Sequence, residues 1–122
     1  MRTEPMIAVG DVEAASAWYQ KLLGCVSDHG GSEFDRLVDG DKVVLLLHHW
    51  GAPEHASMHS PADGLVGNGL VLYFRVDDLD AAYARAMQLN ATIVQEPHFN
   101  DLAHQHEFEL KDPDGYHITI CR

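Results

Sequence analysis

A gapless internal repeat constrains this chain more than any other feature. The segment from Val9 to Leu23 lies on the segment from Val76 to Asn90 residue for residue, so the fold must use one local design twice. Each copy starts at the end of a short apolar strand and meets an aspartate, Asp11 or Asp78, whose carboxylate can cap the free N–H groups of a helix. Val12, Ala15, Tyr19, Leu22 and Leu23 then recur at helical spacing, and Gly24 supplies a left-handed terminator. In the second copy Leu79, Ala82, Ala86 and Leu89 form the stripe, with Asn90 as terminator, since asparagine tolerates that backbone.

Three strand-like segments follow each helix. In the first half they are Cys25 to Asp28, Phe34 to Val38 and Lys42 to His49, with turns at Gly30-Gly31 and from Asp39 to Asp41. In the second they are Thr92 to Gln95, Gln105 to Lys111 and Tyr116 to Cys121, the last two joined by a tight turn from Asp112 to Gly115. The predicted order is therefore βαβββ twice, an α+β fold in one domain of 122 residues. Module one covers about 4–50, a linker about 51–68 and module two about 69–122. The linker is rich in Gly, Pro, Ser and His without periodicity, and is expected to move most. With a helix over one face of each module, the pair is expected to curve into a mixed sheet around a cup.

Charge narrows the partners. Nineteen acidic against eight basic residues give −11, which repels a phosphate backbone and favours cationic ligands, so no nucleic acid is expected. The apolar run from Val43 to Leu47 falls far short of the roughly 20 residues a membrane span needs. Met1 to Pro5 show no leader pattern, and Cys25 and Cys121 lack CxxC spacing. A cytoplasmic location with reduced thiols is expected.

The ordered set Val9-Gly10-Asp11, Trp18-Tyr19, Leu23-Gly24, Val76-Asp77-Asp78 and the run from Phe108 to Tyr116 resembles the vicinal oxygen chelate superfamily of glyoxalases, extradiol dioxygenases and bleomycin-resistance proteins. Asp28 to Gly31 before Phe34, and Gly67 to Asp77, look most like the bleomycin-resistance branch. The resemblance implies paired βαβββ modules, a small-molecule ligand and a homodimer that completes the cavity. It places the metal-ligand positions of the metal-using relatives at Glu4, Leu45, Val71 and Thr119. Glu4 can coordinate, but Leu45 and Val71 offer no lone pair and Thr119 is a poor ligand, so neither metal nor other cofactor is expected.

The chain has nine histidines. His55 and His59 would share a face if the linker were helical, and His106 and His117 would meet across strands. No pair sits in a ligand motif, and His48, His49, His55, His59, His98, His104, His106 and His117 are read as structural or solvated.

Strand alternation predicts the lining. With Ile7, Val9, Leu72, Phe74, Val76, Phe108, Leu110, Ile118 and Ile120 under the helices, the other parity faces the cup. That parity holds Met6, Ala8, Val71, Tyr73, Arg75, Glu107, Glu109, His117, Thr119 and Cys121, with Leu45, Leu47 and His49 assigned from the fourth strand. Trp50 and Phe99, expected on loops at the mouth, suit either stacking on a planar ligand or packing. Glu107 and Glu109 suit a cationic group, or Glu109 pairs with Arg75. His117 has no nucleophile or orienting triad beside it, so no catalytic residue is assigned. The predicted ligand-binding set is Leu47, His49, Trp50, Tyr73, Arg75, Phe99, Glu107, Glu109 and His117. The expected function is metal-independent binding of a small planar, preferentially cationic organic molecule. A divergent metal-dependent lyase, isomerase or dioxygenase using Glu4 with relocated histidines is the alternative, and a protein-interaction module is a second.

Overall fold

β1 (Met6–Val9) runs into Asp11, whose backbone is extended and whose carboxylate accepts the Ala14 N–H at 2.9 Å, and this cap starts α1 (Val12–Leu23). Gly24, at φ 74°, ends the helix and donates its N–H to the Gln20 carbonyl. Val12, Ala15, Tyr19 and Leu22 are buried, as their spacing requires. Asp11→Ala removes one acceptor from the exposed helix start and is expected to cost about 1 kcal/mol. Urea denaturation followed by circular dichroism measures it, and an unchanged midpoint would remove the cap from the account.

The computed structural model describes residues 1–122, which divide into two units, Met1–Ala62 and Asp63–Arg122. In the first, β2 (Val26–Ser27), β3 (Phe34–Asp39) and β4 (Lys42–His49) follow α1. The sheet order is β1-β4-β3-β2, with β1 parallel to β4 and the other pairs antiparallel. Ile7 pairs with Leu47, Val9 with His49 and Leu37 with Leu45. Paired residues share a sheet face, so Leu45, Leu47 and His49 lie with Ile7 and Val9, on the face α1 covers. This corrects the expected lining: Leu45 and Leu47 are fully buried in the core, and the opposite face carries Met6, Ala8 and His48. The run from Val43 to Leu47 is apolar throughout, so it holds no alternation from which parity can be read.

The chain after β4 does not trail away. Gly51, at φ 81°, turns it back and donates to the Met58 carbonyl, while Met58 donates to His55 and His55 to Ala52. Ala52 and Met58 are buried against Ala8, with Met6 and Trp50 packed beside them.

In the second unit β5 (Val71–Arg75), α2 (Leu79–Gln88), β6 (Thr92–Asn100), β7 (Gln105–Lys111) and β8 (His117–Cys121) repeat the plan. The order is β5-β8-β7-β6, again with a parallel first pair. Asp78 accepts from the Ala81 N–H, and Asn90 takes φ 51° beyond the helix. Leu72, Phe108, Leu110, Ile118 and Ile120 are buried on the α2 side. β6 continues past Gln95 to Asn100 because it is an edge strand. Pro97 needs no partner there, and the register shifts between Gln95 and His98. Gly67 sits under Tyr116, where an added Cβ would fall 2.6 Å from the ring. No helix is long and apolar enough to cross a membrane.

Candidate functional site

The open face of the second sheet gathers five of the residues that alternation singled out. Val71 pairs with His117, Tyr73 with Thr119 and Arg75 with Cys121, while Glu109 and Glu107 pair with Thr119 and Cys121 from the other side. Tyr73, Arg75, Glu107, Glu109 and His117 therefore share one surface. Tyr73 is 59% exposed and Val71 50%, which gives the face an apolar, aromatic floor.

Its polar groups are held by a chain of hydrogen bonds. Arg75 donates from Nη2 to Gln105 Oε1 at 2.8 Å, and Gln105 Nε2 donates to Glu107 Oε2 at 2.7 Å. Asn100 Nδ2 donates to the other Glu107 oxygen at 2.8 Å, and His98 Nε2 lies 3.7 Å from it. Glu107 is only 1% exposed, so its carboxylate is committed to these donors and acts as an anchor. The expected Arg75–Glu109 pair is replaced by Arg75–Gln105, and Glu109 stands half-buried on this face with Lys111 two residues along the same strand. Gln105 shares the parity of Glu107, a signal that strand alternation carries, whereas Asn100 lies beyond the predicted strand from Thr92 to Gln95.

Two aromatic candidates stand elsewhere. Phe99 lies in β6 rather than on a loop, pairs with His106 with ring centres 5.0 Å apart, and so faces away from Tyr73. His106 and His117 lie on opposite faces and do not meet, a second correction. Trp50 is half-buried and packs on Ala8, Ala52 and Met58. His49 points Nδ1 at the Trp50 carbonyl at 2.7 Å.

The first unit has a cleft of about 580 Å³ bordered by Met6, the loop from His29 to Phe34, His48, Glu54 and His55. Asp35 builds that loop. Its Oδ1 accepts from Ser27 Oγ, the Gly30 N–H and the Arg36 N–H, each at 2.7 Å. Burial alone would raise the Asp35 carboxyl, but donations from Ser16, Gly30, Ser27 and Arg36 outweigh it and hold the group below the usual carboxylate range. Arg36 also clamps Asp28 with two bonds of 2.7 Å. His48 Nε2 lies 3.2 Å from Glu54 Oε1, and the His55 ring meets the His48 ring edge-on at 5.3 Å. His55 lies between two turns and not in a helix, so the helical pairing with His59 does not form.

The four positions that the resemblance assigns to an ion do not fit one. Glu4 is engaged by Arg2 at 2.9 Å, Leu45 is sealed in the core, Val71 carries no donor and Thr119 is buried. Both cysteines are free and buried. Burial pushes Cys25 to about 11 and raises Cys121, so neither is a ready thiolate.

Comparison with known proteins agrees with the fold. The family model described as Glyoxalase/Bleomycin resistance protein/Dioxygenase superfamily matches residues 3–120. No curated protein matches the chain. Similar solved structures include a hypothetical protein from S. aureus, 18% identical, covering 99% of this chain and 92% of that one at TM-score 0.78. A lactoylglutathione lyase from Agrobacterium tumefaciens is 20% identical, covering 99% and 92% at 0.73. A bleomycin resistance determinant encoded on the transposon Tn5 is 18% identical, covering 100% and 97% at 0.70.

Proposed function

The chain belongs to the glyoxalase, bleomycin resistance protein and dioxygenase superfamily, and from that membership we propose that it binds and sequesters a small planar organic molecule carrying a cationic group, independently of an ion at the family's metal positions. The observation that carries this reading is the open face of the second sheet, where the exposed Tyr73 ring stands beside Val71, Arg75, Glu109 and His117. An aromatic surface with a few directional polar groups supplies both burial and orientation for an organic ligand. The net charge of −11 raises the local concentration of cations.

Thermal-shift screening of cationic glycopeptides and aromatic amines against the purified chain identifies a ligand, and calorimetry then measures the site. Tyr73→Ala is expected to weaken binding by about 1 kcal/mol or more through lost stacking, with the fold intact. Glu109→Gln should selectively weaken cationic members of a ligand series. Equal affinities for the native chain and both variants would overturn the assignment.

A homodimer belongs to the same reading. Leu65, Leu70 and Val71 are exposed together at one end of this face, and grouped apolar surface marks a contact region. Light scattering that reports one chain per particle at micromolar concentration would remove the dimer. A cytoplasmic location is part of the proposal and is supported by the two unpaired cysteines. Retention of a protein partner, with no small-molecule thermal shift, would turn the reading toward an interaction module.

A further inference from the structure

We propose that His48, Glu54 and His55 form a binding site for a divalent transition-metal ion of the zinc class, at a place distinct from the four positions used by metal-dependent relatives. The inference concerns the first unit and is independent of ligand binding on the second sheet.

One ligand atom from each of the three residues lies within 4.8 Å of the other two. Zinc held at about 2.0–2.1 Å in a tetrahedron needs its ligand atoms about 3.4 Å apart. The His48–Glu54 separation of 3.2 Å already meets that spacing, so only a modest movement of the His55 ring completes the set. Two imidazoles and one carboxylate favour zinc-like ions over calcium or magnesium, which prefer all-oxygen shells.

The environment of His48 is a second and separate observation. The residue is 5% exposed, and its Nδ1 stands 3.0 Å from the His49 carbonyl while its Nε2 faces Glu54. A carbonyl only accepts, so Nδ1 carries a hydrogen and donates it. Nε2 then confronts a carboxylate, which leaves that gap suited to a proton or a metal ion. A backbone carbonyl on the far nitrogen is the arrangement that fixes the tautomer and ring angle of a metal-bound histidine.

The chain around the trio is ordered for the task. His48 is fixed on β4 opposite Ala8. Glu54 and His55 arrive on the loop closed by the Gly51–Met58 hydrogen bond and seated by buried Ala52 and Met58. An ion here would pin that loop to the sheet. Because the trio borders the cleft beside Phe34 and Met6, a fourth coordination position would open toward solvent or a small donor.

The test uses the full chain after dialysis against a chelator, titrated with zinc chloride by calorimetry. One equivalent per chain with a rise in melting temperature is expected. Glu54→Gln, at an exposed side chain, and His55→Ala should each weaken zinc at least tenfold without unfolding the protein. His104→Ala and His59→Ala, at exposed imidazoles that are not members of the trio, should leave the affinity unchanged. Cobalt loading should give the intense visible bands of a four-coordinate ion, lost in Glu54→Gln. Absence of stoichiometric zinc, or equal loss in the His59 or His104 variants, would overturn the site.

Discussion

Replacement of Asp35 by alanine is expected to destabilise the protein by about 3 kcal/mol at neutral pH, because it removes one buried acceptor from three part-buried donors at once. Asp35 is 1% exposed, and one of its oxygens accepts from Ser27, Gly30 and Arg36. Alanine offers none of them a partner. Urea denaturation monitored by fluorescence measures the loss, and a change under about 0.5 kcal/mol would contradict the account. The same substitution frees the loop from Gly30 to Phe34 that borders the cleft.

Asp35 also sets a pH dependence. Its carboxyl titrates lower in the folded chain than in the unfolded one, so the unfolded state takes up the proton first. The stabilisation is complete above the unfolded value of about 3.9 and disappears as pH falls through the lower folded value. Asp35→Asn keeps an accepting oxygen but does not titrate. The stability gap between the native chain and this variant should therefore shrink as the solution is acidified below about pH 4. A gap that is constant, or that widens in acid, would reject the role.

Phe108→Ala is expected to cost about 3–5 kcal/mol. Phe108 is fully buried on β7, pairs with Ile120 and meets the Tyr83 ring edge-on at 5.1 Å, so it is where α2 locks to its sheet. Alanine would leave a cavity lined by a helix and two strands that cannot collapse independently. Glu107 and Glu109 flank it on the opposite face, so ligand binding on that face should weaken together with the fold. Thermal denaturation measures the change; a loss below about 1 kcal/mol would show that this core repacks.

α1 and α2, with Asp11 and Asp78 at their starts, were readable because a cap and a helical stripe are local, and local geometry follows from neighbouring residues. The face shared by Tyr73, Arg75, Glu107, Glu109 and His117 was readable because β5, β7 and β8 alternate cleanly. β4 was not. Five successive apolar residues fit either face, and the parity of Leu45 and Leu47 was settled by hydrogen bonding to Ile7 and Leu37. β6 runs to Asn100, past its predicted end at Gln95, because the sequence does not say which strand will be an edge. Trp50 and Phe99 were placed by the same missing information: one packs on Ala8 and the other turns toward His106.

The amino-acid sequence by itself determined the duplicated βαβββ plan, the helix starts at Asp11 and Asp78, and the presence of Leu45 and Val71, which carry no lone pair, at two of the family's metal positions, since each depends on residue types at short range. Only the tertiary structure decided which face of β4 is core, and that Glu107 is anchored by Asn100 and Gln105. It alone brought His48 beside Glu54 and His55. These depend on register and on a loop folding back over a sheet, interactions between residues whose proximity no local pattern encodes.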